Sequence, residues 1–376
     1  MQKLKSQFPY LKEEREEIKM NILHIAKIEK SKYKGVCVAV PSHVISQQKC
    51  ENVAFMNIND EKIPDIKNQI LYTKPFRIDN VIEAWCKPDL VVFHEIYRIE
   101  FIQIKNELKK AGIPYIIVPH GSLTENAQKK SKIKKKIANF LFFLKYIEEA
   151  LAIQFLSETE KICSIGSKKG IIATNGIDIP KMSKESFNED KTKLLFIGRI
   201  DIFYKGIDLM LEAVSLIKDL MIKNSVTLTL FGPDDENSHK AVCELIKKHA
   251  LAEIVTLHDG IFEKEKEEEL LKADIFIQTS RSEGMPTGIL EALSYGLPCI
   301  VTKGTTLGDK INEYDAGWVA DTDVKSIAEC IKKAVTEKDK TENKSKNAIK
   351  LATEEFSWET ITQDTIKQYE NIITNR

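Results

Sequence analysis

The run SRSEGMPTGILEALSYGLPCIV, from Ser280 to Val301, decides the fold. It follows a short apolar stretch, Ile275 to Gln278, that predicts a strand, and it reads as loop, short helix, turn and second strand. Gly284 permits a tight loop, Pro286 suits the first turn of a helix, and Gly296 followed by Pro298 ends it, which predicts a helix from about Thr287 to Tyr295. A helix that begins beside a strand end presents unpaired amides, here those of Thr287 and Gly288, where a diphosphate binds in open parallel sheets.

The same alternation extends in both directions. Strands are predicted at Asn21 to Ala26, Val53 to Ile58, Leu90 to His94, Tyr115 to Val118, Ala152 to Phe155 and Gly170 to Ala173. A second series comprises Lys193 to Ile197, Thr227 to Phe231, Ile254 to Leu257, Ile275 to Gln278 and Pro298 to Val301, with helices such as Ile207 to Ile222 and His239 to His249 between them. Short apolar runs separated by amphipathic segments are the pattern of parallel sheets with crossover helices, so the class is α/β. A chain of 376 residues exceeds one ordinary core and suits two.

The domains read as follows. Residues 1–19 are an N-terminal extension, 20–178 a first Rossmann-like domain, and 179–191 a polar linker opening on Pro180. Residues 192–355 form a second Rossmann-like domain, and 356–376 a terminal amphipathic helix that must dock elsewhere. The Lys/Glu-rich stretch from Thr336 to Lys346 reads as a solvated helix face or loop.

Basic and acidic residues balance at 56 each, so no global field favours nucleic acid. No apolar run approaches the roughly 20 residues that span a bilayer. The charged run KEEREEIK, Lys12 to Lys19, stands where a secretory signal would need an apolar core, so the expected location is cytoplasmic. Seven scattered cysteines without a CxxC pair indicate neither disulfides nor zinc, and Cys299 reads as a small core residue.

The chemistry concentrates in three places. Glu283, before the short helix, and Glu291, one turn inside it, have seven residues between them, and each carboxylate can accept two hydrogen bonds from a diol. Taken singly, Glu291 also reads as a helix-surface charge and Glu283 as a partner of the helix dipole. In LLFIGRIDIFYKGID, Leu194 to Asp208, Arg199 and Lys205 follow a strand end, where two cations neutralise a departing diphosphate; singly they read as surface cations. In IPYIIVPHGSL, Ile113 to Leu123, His120 and Gly121 close a buried strand, although a histidine is often structural and six others occur, at 24, 43, 94, 239, 249 and 258.

This set resembles the donor signature of retaining family 4 (group 1) glycosyltransferases with the GT-B fold, similar to those that build capsular and other surface polysaccharides. The resemblance covers nearly the whole chain after Met20. It implies two Rossmann-like domains facing each other across a crevice, acceptor in the first and nucleotide sugar in the second. Glu283 would contact the donor sugar, Met285 to Gly288 the sugar and phosphate, Glu291 the ribose, and Arg199 and Lys205 the phosphates. His120 would lie near the transferred sugar, Gly35 would belong to a loop near phosphates and acceptor, and HDGIF, His258 to Phe262, would border the base. Gly284, Met285 and Pro286 stand where many relatives read GFG, and Pro286 supplies no backbone donor.

The resemblance implies no cofactor and no metal. A nucleotide-diphosphate sugar, first of all a UDP-sugar, would serve as co-substrate and a glycan or lipid-linked saccharide as acceptor. Asp321 and Asp323, the only D-x-D, read as a helix cap. Residues 128–146, QKKSKIKKKIANFLFFLKY, combine six clustered lysines with an apolar stripe, which fits either an anionic membrane surface on the inner face of the cell membrane or a solvated basic face. An epimerase or hydrolase on the same fold, and a non-catalytic partner subunit, are the alternatives.

Overall fold

A computed structural model of the chain describes residues 19–29, 35–129, 142–165, 170–187, 190–234, 237–283 and 285–376. Two parallel sheets organise them. The first holds β1 (Asn21–Ala26), β2 (Asn52–Asn57), β3 (Gln69–Leu71), β4 (Leu90–His94), β5 (Tyr115–Val118), β6 (Ala152–Phe155) and β7 (Gly170–Ile172), in the order β3-β2-β1-β4-β5-β6-β7. The second holds β8 (Thr192–Ile197), β9 (Val226–Phe231), β10 (Val255–His258), β11 (Ile275–Gln278), β12 (Cys299–Thr302) and β13 (Gly317–Ala320), in the order β10-β9-β8-β11-β12-β13.

In each sheet the strand order reverses beside the first strand, between β1 and β4 and between β8 and β11. Loops leaving adjacent strands at such a point diverge to opposite faces and open a crevice at the carboxyl ends, where ligands bind. Strands covered by helices on both faces must be apolar throughout, and all five residues of β4 are buried. Each sheet accordingly has two apolar clusters, one for each face.

Two elements differ from expectation. The helix predicted from Ile207 to Ile222 breaks at Ile217 into Ile207–Leu216 and Lys218–Lys223. The stretch from Thr336 to Lys346 is not wholly solvated: Thr341, Lys344 and Ser345 are buried, and Lys344 lies over the Trp318 ring, pairs with Asp315 and donates to the Gly317 carbonyl at 3.1 Å. Asp323 does cap a helix, Val324–Thr336, by accepting from the amides of Lys325 and Ser326, and Asp321 pairs with Lys303 at 2.6 Å.

The terminal helix, Trp358–Thr374, crosses back to the first domain. Its Ile366 and Tyr369 enter the cluster around β1 and β4, and the Tyr369 hydroxyl donates to Gln154 Oε1 at 2.5 Å. The two chain crossings between domains bind each other, Ile177 N to Phe356 O at 2.7 Å and Trp358 N to Ile177 O at 3.2 Å. Most of the lysine-rich segment, 130–141, and residues 1–18 lie outside the described residues. The end of that segment turns inward at Tyr146, fully buried beside Phe93 and Tyr115. No described helix is long and apolar enough to cross a membrane.

Candidate active site

The loop leaving β8 is held in place by the loop leaving β11. Asp201 Oδ1 accepts from the Tyr204 amide at 2.8 Å, which curls the chain back toward the sheet. Gly206 then starts the helix Ile207–Leu216 at φ 62°, and a Cβ there would stand 2.0 Å from the Thr279 carbonyl oxygen. Only glycine admits that approach. Arg281 adds a second tie: its guanidinium donates to both Asp208 oxygens at 2.7 Å and to the Phe203 carbonyl at 2.9 Å, with the Phe203 ring 4.7 Å away.

These ties bring Lys205 to Glu283. Lys205 Nζ donates to Glu283 Oε1 at 2.5 Å, and the same oxygen accepts from Ser280 Oγ at 2.8 Å and Gln278 Nε2 at 3.0 Å. Their side chains are only 18% and 14% exposed, so the pair is held within the crevice wall and not at a freely rotating surface. Oε2 of Glu283 takes no donor among the described residues and keeps its lone pairs for a ligand.

The short helix runs from Thr287 to Ser294 with Pro286 just before it. A Cβ on Gly288 would stand 3.0 Å from the Ile197 carbonyl oxygen, so the helix start is pressed against the end of β8. The C-terminus is a Schellman turn: Gly296, at φ 82°, donates to Leu293 O and Leu297 donates to Ala292 O before Pro298. One expectation fails: the Thr287 amide is not unpaired, but donates to the Met285 carbonyl at 3.1 Å. That geometry follows from Pro286, whose backbone at φ −81°, ψ 83° folds the residues on either side toward each other.

The four charged residues are not all in mutual contact. Glu291 pairs with Lys266, on the helix Glu263–Lys272, at 2.7 Å. Arg199, 56% exposed, lies 3.5 Å from Asp201. Met285 touches the first domain, its sulfur accepting from Thr174 Oγ1 at 3.6 Å. A crevice of about 460 Å³ between the domains is lined there by Ser157, Thr174, Met285 and Thr306 among others. Gly284 lies outside the described residues.

On the first domain, His120 follows β5 in a left-handed conformation, φ 47°. The next amide, of Gly121, donates to Glu160 Oε1 at 2.6 Å, and Glu160 Oε2 accepts from the Leu156 amide at 2.8 Å. Burial pushes the Glu160 carboxyl up, against the pull of these two donors. Burial, with His43 nearby, pushes the His120 ring down to about 3, so it is neutral at physiological pH. Gly35 opens the helix Gly35–Gln47, and the loop before it, 30–34, lies outside the described residues. In HDGIF, His258 closes β10 stacked on Phe231, ring centroids 4.9 Å apart, and Ile261 is buried. Cys299 is buried and its thiol is pushed up, as befits an inert core residue.

Residues 178–351 match the family model of glycosyl transferases group 1, a span that takes in the β8 and β11 loops and both ends of the Glu283 to Glu291 segment. Residues 178–351 of this chain form a group 1 glycosyltransferase domain. The glycosyltransferase is 26% identical over 290 residues to the N,N'-diacetylbacillosaminyl-diphospho-undecaprenol alpha-1,3-N-acetylgalactosaminyltransferase of Campylobacter jejuni, covering 71% of this chain and 73% of that one. It superposes on Anabaena Alr3699/HepE in complex with UDP and glucose with a TM-score of 0.66 at 16% identity, covering 94% and 100% of the two chains. A glycosyltransferase from Rickettsia africae gives a TM-score of 0.70 at 14% identity, covering 95% and 100%. These likenesses give the GT-B fold.

Sequence reading of the glycosyltransferase missed Gln278, Ser280, Lys266, Glu160 and also His94, whose Nδ1 lies 3.1 Å from His120 Nε2. Gln278 and Ser280 carried a signal, since polar residues end an otherwise apolar strand immediately before Glu283. The other three reach the site only through tertiary contacts and left none.

Proposed function

We propose that the enzyme transfers a hexosyl-type sugar, with retention of anomeric configuration, from a nucleotide-diphosphate sugar, UDP-sugars first, to a lipid-linked saccharide in surface polysaccharide synthesis. The contact between Lys205 and Glu283 carries this reading. It sets a cation and a carboxylate together at the switch point of the second sheet, beside a helix start, so one ligand can meet phosphate and sugar ligands at once.

In this reading the diphosphate leaves toward Lys205, Arg199 and the Thr287–Ser294 helix start, which receive its charge without a metal ion. Glu283 Oε2 and the segment from Gly284 to Gly288 hold the sugar, Glu291 holds the ribose, and His120 reaches the sugar from the opposite domain. The acceptor hydroxyl approaches the face from which the diphosphate departs. The undecaprenol-linked substrate in the name of the Campylobacter relative supports a lipid-linked acceptor. The lysines of 128–146 would hold the enzyme on the anionic membrane surface that presents it.

A thermal-shift screen of nucleotide sugars tests the donor, because a ligand that binds only the folded chain raises its melting temperature. The best donor, incubated with undecaprenol-linked saccharides, should yield a lengthened lipid-linked product and free nucleoside diphosphate. Free or epimerised sugar with no transfer product would defeat the proposal.

A further inference from the structure

Three histidines, 70 and 26 residues apart in sequence, form one string through the first domain. His24 lies in β1 and His94 closes β4, the neighbouring strands at that sheet's switch point, while His120 follows β5. His24 Nδ1 is 2.9 Å from His94 Nε2, and His94 Nδ1 is 3.1 Å from His120 Nε2. The rings stack in series, with centroids 5.2 and 5.3 Å apart and planes 19° and 26° from parallel. At the inner end, His24 Nε2 lies 2.9 Å from Gln47 Oε1. The Gln47 amide nitrogen is buried beside the Tyr369 hydroxyl without a hydrogen bond of ordinary geometry, and that hydroxyl gives its own proton to Gln154.

A neutral imidazole carries one proton, so each ring must donate on one side and accept on the other. Gln47 Oε1 only accepts, which places the His24 proton on Nε2 and leaves Nδ1 as acceptor. His94 must then donate from Nε2 and accept at Nδ1, and His120 must donate from Nε2. His120 Nδ1 is left bare, and it has no partner among the described residues. We propose that Gln47, His24 and His94 are positioning residues that fix His120 in this tautomer, so that its Nδ1 accepts a hydrogen bond from a hydroxyl of the transferred sugar. This rests on the reading that His120 faces the donor. It deepens that reading into a selectivity: a bare nitrogen takes a hydroxyl and disfavours a carboxylate at the same place, so neutral hexoses are preferred to uronic acids.

The inner two rings of the string stay neutral because they are dry. His24 and His94 are each 1% exposed; burial pushes His24 down to about 3 and His94 well below its ordinary value. The charged and titratable groups that face His120 among the described residues are His94, His43 on the helix Gly35–Gln47, and Glu160 on the Gly121 amide. A His43 proton would only repel another on His120, and burial of Glu160 favours its uncharged form.

Nitrogen-15 NMR of histidine-labelled protein reads the tautomer with no substrate present. The expected spectrum shows His120 protonated at Nε2 and bare at Nδ1, unchanged between about pH 5 and 8. A proton on Nδ1, or a His120 ring that titrates in that range, overturns the proposal. Kinetics supply the second arm. In His94→Gln the side-chain amide can accept from His120 and donate to His24, so kcat is expected within about threefold of the original. His94→Phe breaks the string and should lower kcat about tenfold, the worth of one hydrogen bond, and nitrogen-15 NMR of that variant should show the His120 proton no longer confined to Nε2. A His94→Phe enzyme that folds and keeps full kcat would also overturn the role. A chain that moves no sugar from any donor would sink the proposed function, while the NMR arm still decides the tautomer.

Discussion

Lys205 Nζ and Glu283 Oε1 meet at 2.5 Å across 78 residues of sequence, on loops that leave the neighbouring strands β8 and β11. Without a ligand each neutralises the other, and a bound donor would give Lys205 a phosphate and Glu283 a sugar hydroxyl. Lys205→Ala and Glu283→Ala should therefore each lower kcat/KM roughly 100-fold, the usual cost of removing one preorganised electrostatic partner of the transition state. Steady-state kinetics with the donor found by thermal shift decide it; near-original turnover in both variants removes this site.

Gly206→Ala tests the scaffold and not the chemistry. The added methyl would stand at φ 62° and 2.0 Å from the Thr279 carbonyl oxygen, so the two loops must separate. The cost is about 2 kcal/mol or more from the left-handed backbone alone. Urea unfolding should show that loss, accompanied by a higher donor KM, because the same displacement moves Lys205 away from Glu283. A variant with unchanged stability would mean that the loops are not held by this contact.

Much of the fold could be read because each half of the chain repeats one pattern, apolar strand then amphipathic helix. The two strands missed show the limit. β3, Gln69–Leu71, is a three-residue edge strand with an exposed Leu71, and β13 opens on Gly317, so neither presents the apolar run that marks a strand covered on both faces. In the site, Glu283, Glu291, Arg199 and Lys205 were legible because glycines and prolines frame them in short stretches. The string from Gln47 to His120 was not: its members contact one another only after β1, β4 and β5 pair, and nothing local sets His24 or His94 apart from any other core histidine.

The fully buried histidines in and beside that string predict how stability responds to acid. His24, His43 and His94 are 1%, 2% and 1% exposed, and burial lowers all three below the ordinary imidazole value of 6.5, His24 to about 3 and His43 to about 4. The unfolded chain takes up protons at these rings as pH falls below 6.5 while the folded chain does not, so their contribution is complete above 6.5 and is lost on the way down toward 4 and 3. Each fully neutral ring adds a slope of up to about 1.4 kcal/mol per pH unit. Glu160 acts oppositely, since its raised carboxyl is protonated more readily in the fold and its contribution falls as pH rises past the carboxylate range, but it is one group against three. Urea titrations from neutral pH downward should show stability falling before any carboxylate titrates. A flat profile down to the carboxylate range would contradict the neutral assignment.

Lys266 gives the last test, because it competes for Glu291. The two pair at 2.7 Å with both side chains 28% exposed, so the ion pair is worth at most about 1 kcal/mol. If Glu291 holds the donor ribose, that pair must loosen when the nucleotide binds, and Lys266→Met should lower the donor KM by up to about fivefold. Glu291→Ala should raise it, and in the double variant the Lys266 effect should vanish, since there is no carboxylate left to release. Isothermal titration of the nucleoside diphosphate with the four proteins measures the cycle. Additive effects of the two substitutions would show that Lys266 and Glu291 act separately and that Glu291 is a surface charge on its helix.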